Sequence, residues 1–377
     1  MKQFIYADNA ATTKLDIDAF EAMKPYLLEE YGNASQPYSF ARKPKQALKE
    51  ARATIAQCIN AEPEEIFFTS GGTESDNWAI KGTAFSDSEK RAIITSQIEH
   101  HAVLRACEDI EKLGYPVAYL PITKEGVVTI EPLSSVITHN TRLVSIMYAN
   151  NEIGTIEPIK ELCEIAHRHG ALFHTDAVQA VGHIQIDVKE LRVDMLSASA
   201  HKFNGPKGIG FLYIKKGTPI ASYASGGAQE YGMRAGTENI ASIVGMAVAL
   251  KKNCETISEN SKYIGILETT LMRYLSAAGL NFVRNGSNQR IPGNVSLSFA
   301  NCDGEALLHR LDLMGICVST GAACDSVSTK VSHVLEAIGL NHKYAKGTIR
   351  ISLGRENSLN DVEIIANSIL KILGSKN

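Results

Sequence analysis

Residues 197–211 read SASAHKFNGPKGIGF, with Lys202 set between small residues and a loop holding Gly205, Pro206, Gly208 and Gly210. A free lysine has a pKa of about 10.4, so near neutral pH it is protonated and not nucleophilic. Holding it neutral costs about 1.4 kcal/mol per pH unit. A carbonyl partner removes that difficulty by forming a Schiff base with the amine. The plainer reading is a solvated lysine on a tight loop. Three other segments bear on the choice. TSGGTES (69–75) places Gly71, Gly72 and Thr73 between a strand and a helix start, with Glu74 following. Backbone N–H groups and the helix dipole there suit a phosphate, and a capped tight turn accounts for the segment equally well. HTDAVQA ends a strand on Asp176, which is either a helix N-cap or a site carboxylate. IEHHAV puts His100 and His101 at the next strand-to-helix junction.

Lysine, phosphate cradle and carboxylate are the three groups that hold pyridoxal phosphate. Ser199 and His201 beside Lys202 add polar hydrogens, and Asp176 would keep the ring nitrogen protonated so that the ring accepts electrons from a carbanion. The glycines match neither a P-loop nor GxGxxG, which disfavours a nucleotide. His167, His169 and His174 in HRHGALFH lack a carboxylate or cysteine at ligand spacing, so no metal site is expected there.

The seven cysteines, at 58, 107, 163, 254, 302, 317 and 324, are odd in number and scattered, with no CxxC. They form neither a disulfide framework nor a zinc knuckle, and most should be small core hydrophobes. Cys324 differs. It lies in CVSTGAACDSVSTK (317–330), a small, polar stretch suited to a flexible loop. An incidental surface thiol explains it; so does a nucleophile, whose thiolate needs only a modest depression from about 8.5.

The elements that must position these residues alternate. EIFFTS (65–70), RAIITS (91–96), TRLVSIMYAN (141–150), ALFHTD (171–176), DMLSAS (194–199) and IGFLYI (209–214) read as strands separated by helical patterns, which predicts a mostly parallel α/β sheet. The last two, joined by the Lys202 loop without a helix, should pair antiparallel. One helical pattern ends at Gly170 with His and Arg in its last turn. After TENIASIVGMAVALKK, a separate polar helix over about 255–279 reads as the exit to a smaller α+β unit containing GNVSLSF and GTIRISLG. We therefore expect a large α/β domain over 15–256 and a small α+β domain formed by 1–14 and 257–377, in line with about two domains for 377 residues. In an open α/β sheet, ligands sit beyond the carboxyl ends of the strands, which is where Lys202, Asp176 and Thr73 fall.

A net charge of −3 gives no electrostatic case for nucleic acid or an anionic membrane. The N-terminus MKQFIYADNAATT is too short in apolar residues for a signal peptide, and the longest apolar run, IASIVGMAVAL, falls short of the ~20 residues that span a bilayer. A cytosolic protein is expected.

With these segments assembled, the chain resembles the cysteine desulfurases, a group of fold-type I pyridoxal-phosphate enzymes in the class V aminotransferase family. The resemblance rests on YADNAATT, YGNAS, FTSGGTESDNWAIKG, EHHAV, NNEIGT, HTDAVQAVG, SAHKFNGPKGIG, GMRAGTEN, STGAACDS and IRISLGR, in order over nearly the whole chain. It implies that Lys202 is the Schiff-base lysine, Asp176 the pyridinium partner and Gln179 a donor to the phenolic oxygen. His100 would stack on the ring and move protons. Gly72, Thr73, Ser199 and His201 would hold the phosphate, with Thr237 supplied by the other subunit of a homodimer. Asn151 would meet cofactor and substrate, Arg350 would bind the substrate α-carboxylate as a fork, and Asn33 would also touch substrate. Cys324 would take the sulfur of L-cysteine as a persulfide, leaving alanine. The stretch after Cys324 resembles the longer-loop branch, which serves iron–sulfur assembly and implies a sulfur-acceptor or scaffold partner. A cluster-ligand role for Cys324 stays open. A selenocysteine lyase or a related aminotransferase is the alternative; the aminotransferase has no need of Cys324.

Overall fold

The computed structural model describes residues 4–86, 89–320 and 331–374. Its strands, in chain order, are β1 (Ile5–Tyr6), β2 (Ile66–Thr69), β3 (Ala92–Ser96), β4 (Val117–Leu120), β5 (Thr141–Ser145) and β6 (Leu172–Asp176). There follow β7 (Met195–Ser199), β8 (Gly210–Ile214), β9 (Phe282–Arg284), β10 (Asn294–Phe299), β11 (Ile316–Cys317) and β12 (Thr348–Ser352).

Seven of them form one sheet in the order β2-β8-β7-β6-β5-β3-β4. Neighbours run parallel except that β8 is antiparallel to both β7 and β2. The expected antiparallel pair is thus present, with Ser199 opposite Gly210 at the Lys202 loop. Strands such as TRLVS, MLSAS and GFLYI are buried along their whole length, as a sheet covered by helices on both faces requires. The covering helices bury one stripe each. In Ile159–Arg168 the stripe is Ile159, Leu162, Cys163, Ile165 and Ala166, a helical spacing. At about 1.5–3 kcal/mol per fully buried large aliphatic, this stripe fixes the helix on the sheet, and Leu162→Ala would cost about 2–5 kcal/mol. The helix stops as expected at Gly170, which takes φ +66°, a conformation glycine adopts without strain.

A second core gathers around the antiparallel sheet β12-β10-β9. Val295, Leu297, Phe299, Ile349 and Ile351 pack there against Leu267, Leu271, Leu275 and the helix Leu359–Gly374. The polar segment expected as a separate helix is instead the continuation of the apolar one, a single helix Ile240–Ala277 of 38 residues. Its first half feeds the large core through Ile243, Met246 and Leu250, and its second half feeds the small core through Ile264, Leu267 and Leu271. The exposed residues between the two buried stretches give the sequence its apparent break. Among the described residues, no helix is long and apolar enough to cross a membrane.

Candidate active site

A cavity of about 620 Å³ opens at the carboxyl ends of the large sheet, within the range for small-molecule sites. Lys202, Asp176, Gly72, Thr73, His100, Asn151, Gln179, Ser199, His201 and Arg350 all line it. Residues more than 270 apart in sequence are therefore brought onto one surface.

Lys202 sits in the short turn Ala200–Lys202 directly after β7. Its Nζ donates to the carbonyls of Ala10 and Ala11 at 2.7 and 2.8 Å, so the N-terminal segment orients the amine. Asp176, the last residue of β6, is 5% exposed. Burial pushes its carboxyl up to about 6, against the pull of the Val178 N–H and the Lys202 charge. The Val178 N–H donates to Oδ1 at 2.9 Å, so Asp176 also makes the local turn that its sequence context allowed.

The glycine segment is shaped by close approach. Gly71 has φ +147°, and a Cβ on Gly72 would stand 2.6 Å from Val178 Cγ2. Only a residue without a side chain leaves that end of the cavity open. Thr73 follows in the helix Gly72–Asn77, with Ser199 and His201 facing from β7 and its turn. His201 Nδ1 is 3.1 Å from Thr12 Oγ1. Burial and the neighbouring Lys202 and Lys207 charges lower His201 to about 4.

His100 caps the helix His101–Lys112, its Nδ1 accepting from the Ala102 N–H at 3.1 Å. That bond leaves Nε2 to carry the proton of the neutral ring. Burial, then the Lys202 charge, lowers His100 to about 4, so it is neutral at pH 7.

Gln179 Nε2 donates to the Ala10 carbonyl at 3.0 Å, the same oxygen that receives Lys202. Arg350 is 2% exposed. Its guanidinium donates to the Asn151 carbonyl at 2.7 Å and to Asp8 Oδ1 at 2.8 Å. Arg350 Nε, buried, has no partner. The expected fork is thus engaged by the Asn151 carbonyl and by Asp8.

Two expected residues do not line the cavity. Asn33 turns inward on its own segment, its Oδ1 accepting from the Ser35 N–H at 2.9 Å. Thr237 is exposed, beyond an ion pair between Arg234 and Glu74 at 2.8 Å that ties its segment to the glycine turn. Cys324 lies outside the described residues, but the chain on both sides of its segment is anchored near the cavity. Ser319 bridges to Arg350. Ser332 Oγ donates to Glu152 Oε2 at 2.6 Å, and His333 contacts the Glu99 carbonyl at 3.1 Å. Of the described cysteines, none lines the cavity, and burial pushes the Cys107 and Cys163 thiols up to about 12.

Sequence reasoning missed four contributors: the Ala10 and Ala11 carbonyls, Asp8, and Asp76, which also lines the cavity. Asp8 stood in YADNAATT, where a lone acid among small residues was the available signal. Asp76 follows Gly72 by one helical turn, and that spacing alone puts the two on one face.

The donor set fits pyridoxal phosphate: an amine, a buried carboxylate, a neutral stacking-capable ring and a glycine cradle that a Cβ would fill. Fold and site together define a pyridoxal-phosphate enzyme of fold type I, and the family model for class V aminotransferases matches residues 5–365. Cysteine desulfurase IscS of Clostridium botulinum is 47% identical over 99% of this chain and 95% of its own. The same-named enzyme of Dictyoglomus turgidum is 48% identical over the same shares. Among solved structures, a NifS-like protein superposes with a TM-score of 0.93 at 39% identity, covering 99% of this chain and all of the other. SspA in complex with cysteine superposes at 0.84 with 36% identity, covering 94% of this chain and all of its own. The chain belongs to the cysteine desulfurases of the class V aminotransferase family.

Proposed function

We propose that this chain takes the sulfur of L-cysteine onto Cys324 as a persulfide, releases L-alanine, and passes the sulfur to an iron–sulfur scaffold or another acceptor, working as a cytoplasmic homodimer. The observation that carries this reading is convergence. Lys202, Asp176, Gly72, His100 and Arg350 line one cavity, and Ser319, close before the Cys324 segment, pairs with Arg350.

Pyridoxal phosphate, when bound, supplies the electron sink for charge developing at the substrate α-carbon. Lys202 would hold it, with Gly72, Thr73, Ser199 and His201 at the phosphate and Asp176 at the ring nitrogen. Arg350 and Asn151 orient the substrate carboxylate. Lys202 Nζ, released from the Ala10 and Ala11 carbonyls, moves the α-proton. His100, neutral with its Nε2 proton available, hands over a proton. Cys324 thiolate attacks the substrate sulfur: an S–S bond forms, the C–S bond breaks, and its electron pair remains on carbon, where protonation completes alanine. The exposed Thr237, tied to the glycine turn through Arg234 and Glu74, supports its delivery to a partner subunit's phosphate site.

The test is Cys324→Ala. The variant should keep the yellow colour of the loaded enzyme while sulfide release from L-cysteine under reductant falls by at least about 100-fold, an effect in the range seen when a nucleophile is removed. Desulfuration at the wild-type rate would remove Cys324 from the sulfur route.

A further inference from the structure

Two carboxyl groups lie under one end of the cavity. Asp176 closes β6, and Asp76 stands on the helix Gly72–Asn77; they are 5% and 1% exposed. One carboxylate oxygen from each of Asp76 and Asp176 and one ring nitrogen of His100 lie within 4.8 Å of one another. Asp76 lines the cavity, yet its buried Oδ1 has no hydrogen-bond partner.

The groups around Asp76 offer it no full positive charge. His174 Nε2 is 3.7 Å from Oδ1. Both nitrogens of that ring are already engaged, Nδ1 with Ser145 Oγ at 2.8 Å and Nε2 with Ser197 Oγ at 2.9 Å. Burial lowers His174 to about 3, so it is neutral. His100, from the neighbouring helix, is neutral as well. Glu99, also buried, adds a smaller push upward on Asp76, while on Asp76's own helix Glu74 turns away to Arg234. The Lys202 charge acts on Asp176.

Two carboxylates this close in a dry environment do not both ionise. The environment decides which keeps the proton. Asp176 has a backbone donor and the Lys202 charge. Asp76 has a bare oxygen, costly for an anion and far less so for a neutral carboxyl. Burial and then the Asp176 charge push Asp76 well above the usual carboxylate range, with Ser197 pulling the other way.

We propose that Asp76 is a positioning residue that stays protonated, a neutral carboxyl behind Asp176 that keeps the pair's single negative charge on Asp176. This rests on reading Asp176 as the partner of the ring nitrogen. In this arrangement Asp76 fills the floor of the cavity, excludes water from Asp176 and confines the charge to the oxygen that must face the cofactor.

The test uses the loaded enzyme and compares wild type with Asp76→Asn and Asp76→Ala. The infrared difference spectrum, wild type minus Asp76→Asn at neutral pH, should contain the carbonyl stretch of a protonated carboxylic acid. Asp76→Asn, neutral and of the same shape, should bind pyridoxal phosphate within about threefold of wild type. Asp76→Ala should bind it at least about tenfold more weakly, the loss expected when one buried polar contact is opened to water. Absence of the stretch would overturn the proposal, as would a tenfold loss in Asp76→Asn or wild-type binding by Asp76→Ala. Asp176→Asn separates the two readings. Unchanged cofactor binding and absorption in that variant would remove Asp176 from the ring nitrogen, whereas the infrared result reports on Asp76 regardless.

Discussion

One wall of the cavity is the carboxyl edge of the seven-stranded sheet, carrying Asp176, Ser199 and Lys202 on the ends of β6 and β7 or just beyond. Another wall is assembled from Ala10, Ala11, Thr12 and Arg350, with Asp8 tying the N-terminal segment to Arg350 across 342 positions of sequence. The first wall is set by ladder register: His174 to Asp176 pair with Met195 to Ser197, which fixes the spacing between the Asp176 and Lys202 branches. The second is set by side-chain bonds: Arg350 donates to Asp8, and Lys202 donates to the Ala10 and Ala11 carbonyls. The difference teaches where each task belongs. On the function proposed above, cofactor electronics belong to the sheet wall, and substrate recognition and proton movement belong where the two walls meet.

Substitutions on the two walls should therefore fail differently. The largest effect is expected for Lys202→Ala, which should lose both the absorption band of the lysine–aldehyde linkage and at least about 10³-fold in activity, within the range for removal of an acid–base group. Retention of the band would break the assignment of the first wall. Arg350→Lys should spare the band and act on substrate, raising KM for L-cysteine by about 10- to 100-fold, the loss of a charged hydrogen bond. A fall in kcat with KM unchanged would put Arg350 in the chemistry instead of recognition.

The smallest effect concerns stability at the loop joining the walls. Glu157 follows the Asn151 loop, is 2% exposed, and accepts from the Val128 N–H at 2.8 Å while its Oε1 has no partner. Burial raises it to about 8, with the Val128 N–H acting the other way. The folded chain then holds a proton that the unfolded chain gives up near pH 4.5, so this contribution to stability is present at low pH and is lost as pH rises toward 8. Glu157→Gln should melt about 2 °C or more above wild type at pH 9, with the gap closing by pH 5. A gap that widens at low pH would mean that Glu157 is ionised in the fold.

The sheet wall was legible in the sequence because its signals are local. Strands end in Asp176 and Ser199, glycines sit where a side chain would collide, and the missing helix between β7 and β8 announces an antiparallel turn. The other wall was not, since nothing near Asp8 names Arg350 and nothing near Lys202 names the Ala10 carbonyl. Asn33 shows the converse: its motif was recognisable, yet its side chain closes a local turn. The edge strand β4 escaped because its apolar run, VAYL, is only four residues long and closed by Pro116 and Pro121. The two-residue pair β1 and β11 is too short to carry a period.

The most direct measurement of the central claim is borohydride reduction of the loaded enzyme followed by peptide mass mapping, because reduction fixes an imine as a stable secondary amine. One pyridoxyl-bearing peptide containing Lys202 is predicted. The label on Lys207, which lines the same cavity, or on no lysine at all, would contradict the account.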